Sequence, residues 1–147
     1  MQKSLELFSS LFENFPNLAV LHVNNKVDFL NQTIEKVVKN SGGKLDYKEF
    51  EDELSLRLRP KATDSEYTTS GDILDSCENK SQLLNMYYKA LENSANIIVL
   101  AKKSNNSVDE IKDLLDKAYF QAVNDIDIFD EYIIVTGKKM HMWGNGQ

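Results

Sequence analysis

Apolar positions fall into two kinds of repeat along the chain, and the clearest run lies between Gln82 and Lys139. Leu84, Tyr87, Tyr88 and Leu91 follow the i, i+3, i+4, i+7 spacing of a helix. Asn93-Ser94-Ala95-Asn96 is expected to break that helix before the solid apolar run Ile97 to Leu100. This run is too short for a buried helix and rich in β-branched residues, which predicts a fully buried parallel strand. Ser107, with Glu110 three residues on, opens a second helix as a capping box, and Ile111, Leu114, Leu115 and Ala118 form its buried stripe. After Tyr119-Phe120 come the alternating Ile126 and Ile128, a polar break at Asp130-Glu131, and Tyr132 to Val135. The order is helix, strand, helix, then a closing antiparallel pair.

The first half carries a compatible pattern. Leu5, Phe8, Leu11, Phe12 and Phe15 share one helical face, and Phe15-Pro16-Asn17 ends it. Leu18 to Val23 reads as the first strand. Asp28 is expected to cap the next helix, with Leu30, Ile34, Val37 and Val38 as its stripe and Gly42-Gly43 as a left-handed C-terminal cap. The segment KLDYKEF, residues 44–50, is a second strand, and strand, crossover helix and strand form the unit of a parallel sheet. Leu54, Leu56 and Leu58 alternate with polar residues as in a half-exposed strand.

The stretches YYKALENSANIIVLAKK (87–103), VDEIKDLLDKAYF (108–120) and DEYIIVTGKK (130–139) resemble the C-terminal half of class I S-adenosylmethionine-dependent methyltransferases. In that family a helix leads to the fifth strand, another helix follows, and two antiparallel strands finish the sheet. The resemblance implies a cofactor crevice at the other half of the domain. There the first strand ends in an acidic residue and runs into a glycine-rich loop, because the cofactor lies against bare backbone. In this chain His22 stands at the acidic position and Asn24-Asn25-Lys26 replaces the glycines. The family also places an acidic residue at the end of the second strand to hold the ribose hydroxyls; Asp46, Glu49 and Glu51 are the candidates by position. The segment from Glu66 to Ser81 takes the place of the fourth strand and its loop, with Asp72 and Asp75 suited to capping or turn roles.

Composition narrows the partners. The chain has 147 residues, 41% hydrophobic and 27% charged, as an ordinary folded domain does. Its net charge of -6 and pI near 4.9 repel phosphate backbones and anionic membrane surfaces, so neither nucleic acid nor membrane is expected as a partner. Lys3 is the only cation of the N-terminal apolar helix, whereas interfacial membrane helices carry several. The single cysteine, Cys77, has no partner for an internal disulfide and none at zinc-ligand spacing, which fits a reducing, cytoplasmic setting. Met140-His141-Met142 offers soft ligand atoms, but strand alternation separates the sulfurs from the imidazole, so packing is the expected role.

These readings combine into one expectation. Residues 1–147 form a single α/β domain, doubly wound, with a mostly parallel sheet, helices on both faces and an antiparallel C-terminal strand. Residues 1–16 are an amphipathic helix, 17–139 the methyltransferase-like core and 140–147 a tail. Leu18 to Val23 and Ile97 to Leu100 are interior parallel strands. With the glycine loop replaced, the expected function is a methyltransferase-fold protein without a cofactor, acting as a homo-oligomer or binding a protein partner through the apolar residues of its termini. A divergent S-adenosylmethionine-dependent enzyme and a sensor of a nucleotide-like ligand are the alternatives. No catalytic or metal residue is assigned; the candidate cofactor contacts are Asn24, Asn25 and Asp46.

Overall fold

The computed structural model describes residues 2–12, 16–49, 65–74 and 79–140. In chain order the elements are α1 (Gln2–Ser9), β1 (Ala19–Asn24), α2 (Asp28–Ser41), β2 (Lys44–Glu49), β3 (Ser65–Gly71), α3 (Lys80–Ala90), β4 (Leu91–Lys102), α4 (Val108–Lys117), β5 (Gln121–Ile126) and β6 (Tyr132–Lys138). The strands form one six-stranded sheet, ordered β2-β1-β3-β4-β6-β5. The first four are mutually parallel, and β6 runs antiparallel to both β4 and β5. Both apolar runs therefore lie inside the sheet as parallel strands, β1 between β2 and β3, β4 between β3 and β6.

β1 and β4 carry buried apolar residues on both faces because helices cover both. Ile97, Val99 and Ala101 of β4 join Leu21 and Val23 of β1 in a core under α3 and α4, with Leu84, Tyr87, Ile111 and Leu115. Ile98 and Leu100 join Val20 in a second core under α1 and α2, with Phe8, Phe12, Leu30, Ile34 and Val38. A strand buried on both sides loses the apolar-polar alternation of a half-exposed one, which is why these runs read as solid hydrophobic blocks.

Helix ends follow from local chemistry. Gly42 adopts φ 75°, and the N–H groups of Gly42 and Gly43 donate to the carbonyls of Lys39 and Val38. Gly43 must be glycine for a different reason: a Cβ there would stand 1.9 Å from the Leu18 carbonyl oxygen. Asn79 caps α3 by accepting from the Gln82 N–H at 3.0 Å. Ser107 caps α4 by accepting from the Glu110 N–H at 3.2 Å; its hydroxyl then donates to the Glu110 carboxylate, so the two side chains bond each other.

The structure corrects several sequence expectations. Leu91 is the first residue of β4, fully buried, and Asn93 to Asn96 continue the strand. The polar tetrapeptide is accommodated because Ser94 takes φ 70° and pairs with the end of β6: its N–H donates to the Lys139 carbonyl, and the Lys139 N–H donates to Ala95. Asp28 is not a cap, since Val27 holds the N-cap position and Asp28 lies in the first turn. Ile128 follows β5 instead of extending it, and its carbonyl accepts from the Ser4 hydroxyl at 3.1 Å. Phe8 and Phe12 are not surplus apolar surface: they are covered by the chain's own core, Phe12 against Tyr67 with ring centroids 4.9 Å apart, Phe8 against Phe129. Phe15, Glu51, the Leu54 to Leu58 alternation, Asp75, Cys77 and the tail from His141 lie outside the described residues.

Candidate functional site

Strand order reverses between β1 and β3, since the chain moves from β1 outward to β2 and then back to β3 on the other side. In open α/β sheets such a switch point opens a crevice beyond the carboxyl ends of the strands, where ligands bind. The residues there are Asn24 at the end of β1 with Asn25 and Lys26 after it, Glu49 at the end of β2, Gly71 at the end of β3 with Asp72 after it, and Lys102 at the end of β4.

Their side chains bond one another. Asn24 is buried, and its amide brackets Val27: Oδ1 accepts from the Val27 N–H at 3.3 Å and Nδ2 donates to the Val27 carbonyl at 3.2 Å. The bracket sets the entry of the chain into α2. Asn25 ties the loop across to β3, its N–H donating to the Gly71 carbonyl at 2.9 Å and its Nδ2 to the Asp72 carbonyl at 3.1 Å. Lys26 takes φ 60°, and its N–H donates to Glu49 Oε1 at 3.2 Å. The other Glu49 oxygen accepts the Tyr47 hydroxyl. Burial and that hydrogen bond to Glu49 together raise the Tyr47 pKa. Glycine is used here once, at Gly71, where a Cβ would meet Asn24 Oδ1 at 2.5 Å and Leu30 Cδ2 at 2.9 Å. The bare backbone makes room for the asparagine amide.

Asp72 closes the other side. It holds φ 60°, its N–H donates to Leu100, and its carboxylate accepts from the Lys102 N–H at 3.2 Å with the Lys102 ammonium 3.7 Å away. Tyr132, opposite Lys102 across the sheet, has a raised pKa through burial first and the nearby Asp72 charge second. His22 lies one step below this crevice. It is fully buried, with Nδ1 hydrogen-bonded to Thr69 Oγ1 at 2.5 Å and the Tyr47 ring centroid 5.5 Å away. Burial pushes its pKa down to about 4, against a hydrogen bond to Thr69 that raises it, so the ring is neutral at physiological pH.

Of the candidates named from sequence, the fold brings Asn24 and Asn25 together with Glu49 and Asp72. Asp46 stays apart: it pairs with Leu21 in the middle of β2 and is exposed, while Glu49 pairs with Asn24 at the strand end. Sequence reading did not single out Lys102 or Tyr132, although Lys102 closes the apolar run of β4 and so had to lie at its carboxyl end. Among the described residues no group of three histidine, cysteine, aspartate or glutamate side chains is placed to hold a metal ion, and no helix is long and apolar enough to cross a membrane.

No protein-family model matches the chain, and no curated protein does. Solved structures do. A S-adenosylmethionine-dependent methyltransferase from Aquifex aeolicus superposes with a TM-score of 0.72 at 13% identity, covering 92% of this chain and 89% of its own. The 1,6-didemethyltoxoflavin-N1-methyltransferase of Burkholderia thailandensis, solved with 1,6-didemethyltoxoflavin and S-adenosylhomocysteine, gives 0.69 at 11% identity over 94% and 79%. Human N-acetylserotonin methyltransferase, in complex with S-adenosylmethionine, gives 0.67 at 11% over 94% of this chain and 52% of its own. The chain thus spans most of the first two and about half of the third. Sheet order, the antiparallel closing pair and these superpositions agree that the chain has the class I S-adenosylmethionine-dependent methyltransferase fold.

Proposed function

We propose that this methyltransferase-fold protein does not use S-adenosylmethionine and acts as a binding module, assembling with further copies of itself or with another protein in a reducing, cytoplasmic setting. The observation that carries the reading is the self-filled crevice: the Asn24 amide occupies the space left open by Gly71, and both Glu49 oxygens accept hydrogen bonds from within the chain. A cofactor entering along the backbone after β1 would have to displace the Asn24 bracket. Two neutral hydrogen bonds are worth about 2 kcal/mol, so displacement costs roughly thirtyfold in affinity before any new contact forms. His22, neutral and buried, offers no carboxylate to an incoming ammonium group.

One observation favours the divergent-enzyme reading. Glu49 ends β2 beside Asn24, the position at which the family resemblance asks for an acid that holds ribose hydroxyls. Isothermal titration with S-adenosylmethionine and S-adenosylhomocysteine separates the two. The binding-module reading expects no heat of binding at micromolar ligand; micromolar affinity that disappears on changing Asn24 and Asn25 overturns it in favour of the enzyme. Sedimentation of the full chain tests assembly. Leu7, Tyr47, Tyr119 and Met140 are the exposed large apolar residues in the described part of the chain, and they lie apart in sequence. A strict monomer that retains no protein partner counts against the module.

A further inference from the structure

His22 is a titratable side chain with no exposure to solvent, set on β1 next to the edge strand β2, and the crevice contacts do not use it. Alternation along β1 places it on the same face as Val20, in the layer covered by α1 and α2. One ring nitrogen bonds Thr69; the other, Nε2, has no hydrogen-bond partner among the described residues. We infer that His22 is an acid-sensitive latch for one face of the sheet: protonation releases the α1–α2 layer and β2, while the α3–α4 layer stays closed.

The surroundings give the imidazolium nothing to pair with. From β2 come the Tyr47 ring and, beyond it, Glu49, whose oxygens already accept from Lys26 N–H and the Tyr47 hydroxyl. From β3 come Thr69 and Tyr67, and the Tyr67 hydroxyl donates to the Leu11 carbonyl. α2 turns Leu30, Thr33, Ile34 and Val38 inward, with the Thr33 hydroxyl donating to Phe29; its Glu35, Lys36 and Lys39 are exposed. α1 and the turn after it contribute Phe8 and Phe12. A second ring proton would therefore have no charged partner among the described residues, and lifting α2 is the local way to hydrate it. The core on the opposite face, built on Leu21, Val23, Tyr87 and Leu115, is separated from His22 by the sheet itself.

The direction follows from linkage. The pKa is about 4 when closed and returns to the ordinary 6.5 when the ring is hydrated. Above pH 6.5 both states are neutral and the latch holds. As pH falls from 6.5 towards 4, the open state takes up the proton first. The opening constant rises about tenfold by pH 5.5 and levels off below pH 4 at about three-hundredfold.

Hydrogen exchange on the full chain at pH 7.5 and 5.5, divided by intrinsic exchange rates, tests this. The expected result is an opening constant for α2 and β2 amides about tenfold higher at pH 5.5, with α4 and β6 amides unchanged, and loss of that difference in His22→Gln. Equal acceleration on both faces, or an unchanged pH difference in His22→Gln, overturns the latch. A second readout does not depend on that variant folding. The chain has two histidines, so a ring-proton titration of the wild type, assigned with His141→Gln, isolates His22; titration near 4 supports the latch and titration near 6.5 overturns it.

Discussion

Replacing Asn24 by alanine probes the crevice most directly. The side chain is buried and makes two hydrogen bonds to Val27. Loss of both removes about 2 kcal/mol at the usual net value of about 1 kcal/mol each. The Val27 carbonyl keeps a partner, because it also accepts from the Asn31 N–H at 3.2 Å. The Val27 N–H does not, and a buried orphan donor adds roughly 1 kcal/mol. The expected destabilisation is about 2–3 kcal/mol, equivalent to a fall in Tm of roughly 5–10 °C for a chain of this size. Urea denaturation followed by circular dichroism measures it. A change under about 0.5 kcal/mol, with the m-value unaltered, would refute the reasoning. The bracket would then hold nothing, the turn after β1 would be free to open for a ligand, and the case for a self-filled crevice would lose its main support.

Gly71→Ala should destabilise by roughly 1–3 kcal/mol through overpacking against Asn24 Oδ1 and Leu30, and by less in the Asn24→Ala background; a double-mutant cycle without that coupling would contradict the close approach. Gly43→Ala places a Cβ against the Leu18 carbonyl, where only backbone can yield, so the soluble folded yield should collapse. Thr68→Val removes a buried hydroxyl that has no partner among the described residues and should leave stability unchanged or raise it by about 1 kcal/mol; a loss beyond 1 kcal/mol would mean the hydroxyl is bonded. Ser107→Ala should cost about 1 kcal/mol by uncapping α4, seen as a shifted urea midpoint.

The elements legible in the sequence were those whose signal is local. β1 and the core of β4 declare themselves as solid apolar runs because both faces are buried, and α2 and α4 carry their Gly42 and Ser107 caps within a few residues. Leu91 was misassigned for a physical reason: it sits seven residues after Leu84, in phase with the helix stripe, yet it is equally suited to the first position of a buried strand. The site was legible by half. Asn24 and Asn25 could be seen to replace glycines, but their partners Gly71 and Asp72 lie 47 residues away and only pairing of β1 with β3 brings them in. Asp46 and Glu49 could not be separated without the register that sets Glu49 beside Asn24. The Asn24 bracket had a missed local signal, an asparagine three residues before the helix N-cap, which suits an Asx turn better than Asp28 suits a cap.

The position of β3 between β1 and β4 also governs how the chain can assemble over time. On a ribosome, β1 and β2 emerge first and can pair through α2, but β1 remains open along its other side until residues 65–71 have been made. At roughly 5–20 residues per second that interval lasts seconds. During it one long edge of an apolar strand is available to any neighbouring chain, and closing it requires a parallel pairing of high sequence separation, the slow kind. β4 also waits, for residues 132–138, but the pairing that closes it is antiparallel and β6 arrives with β5 as a hairpin. The nascent N-terminal half is therefore where chaperone engagement should concentrate, and β3 is the strand whose arrival ends it.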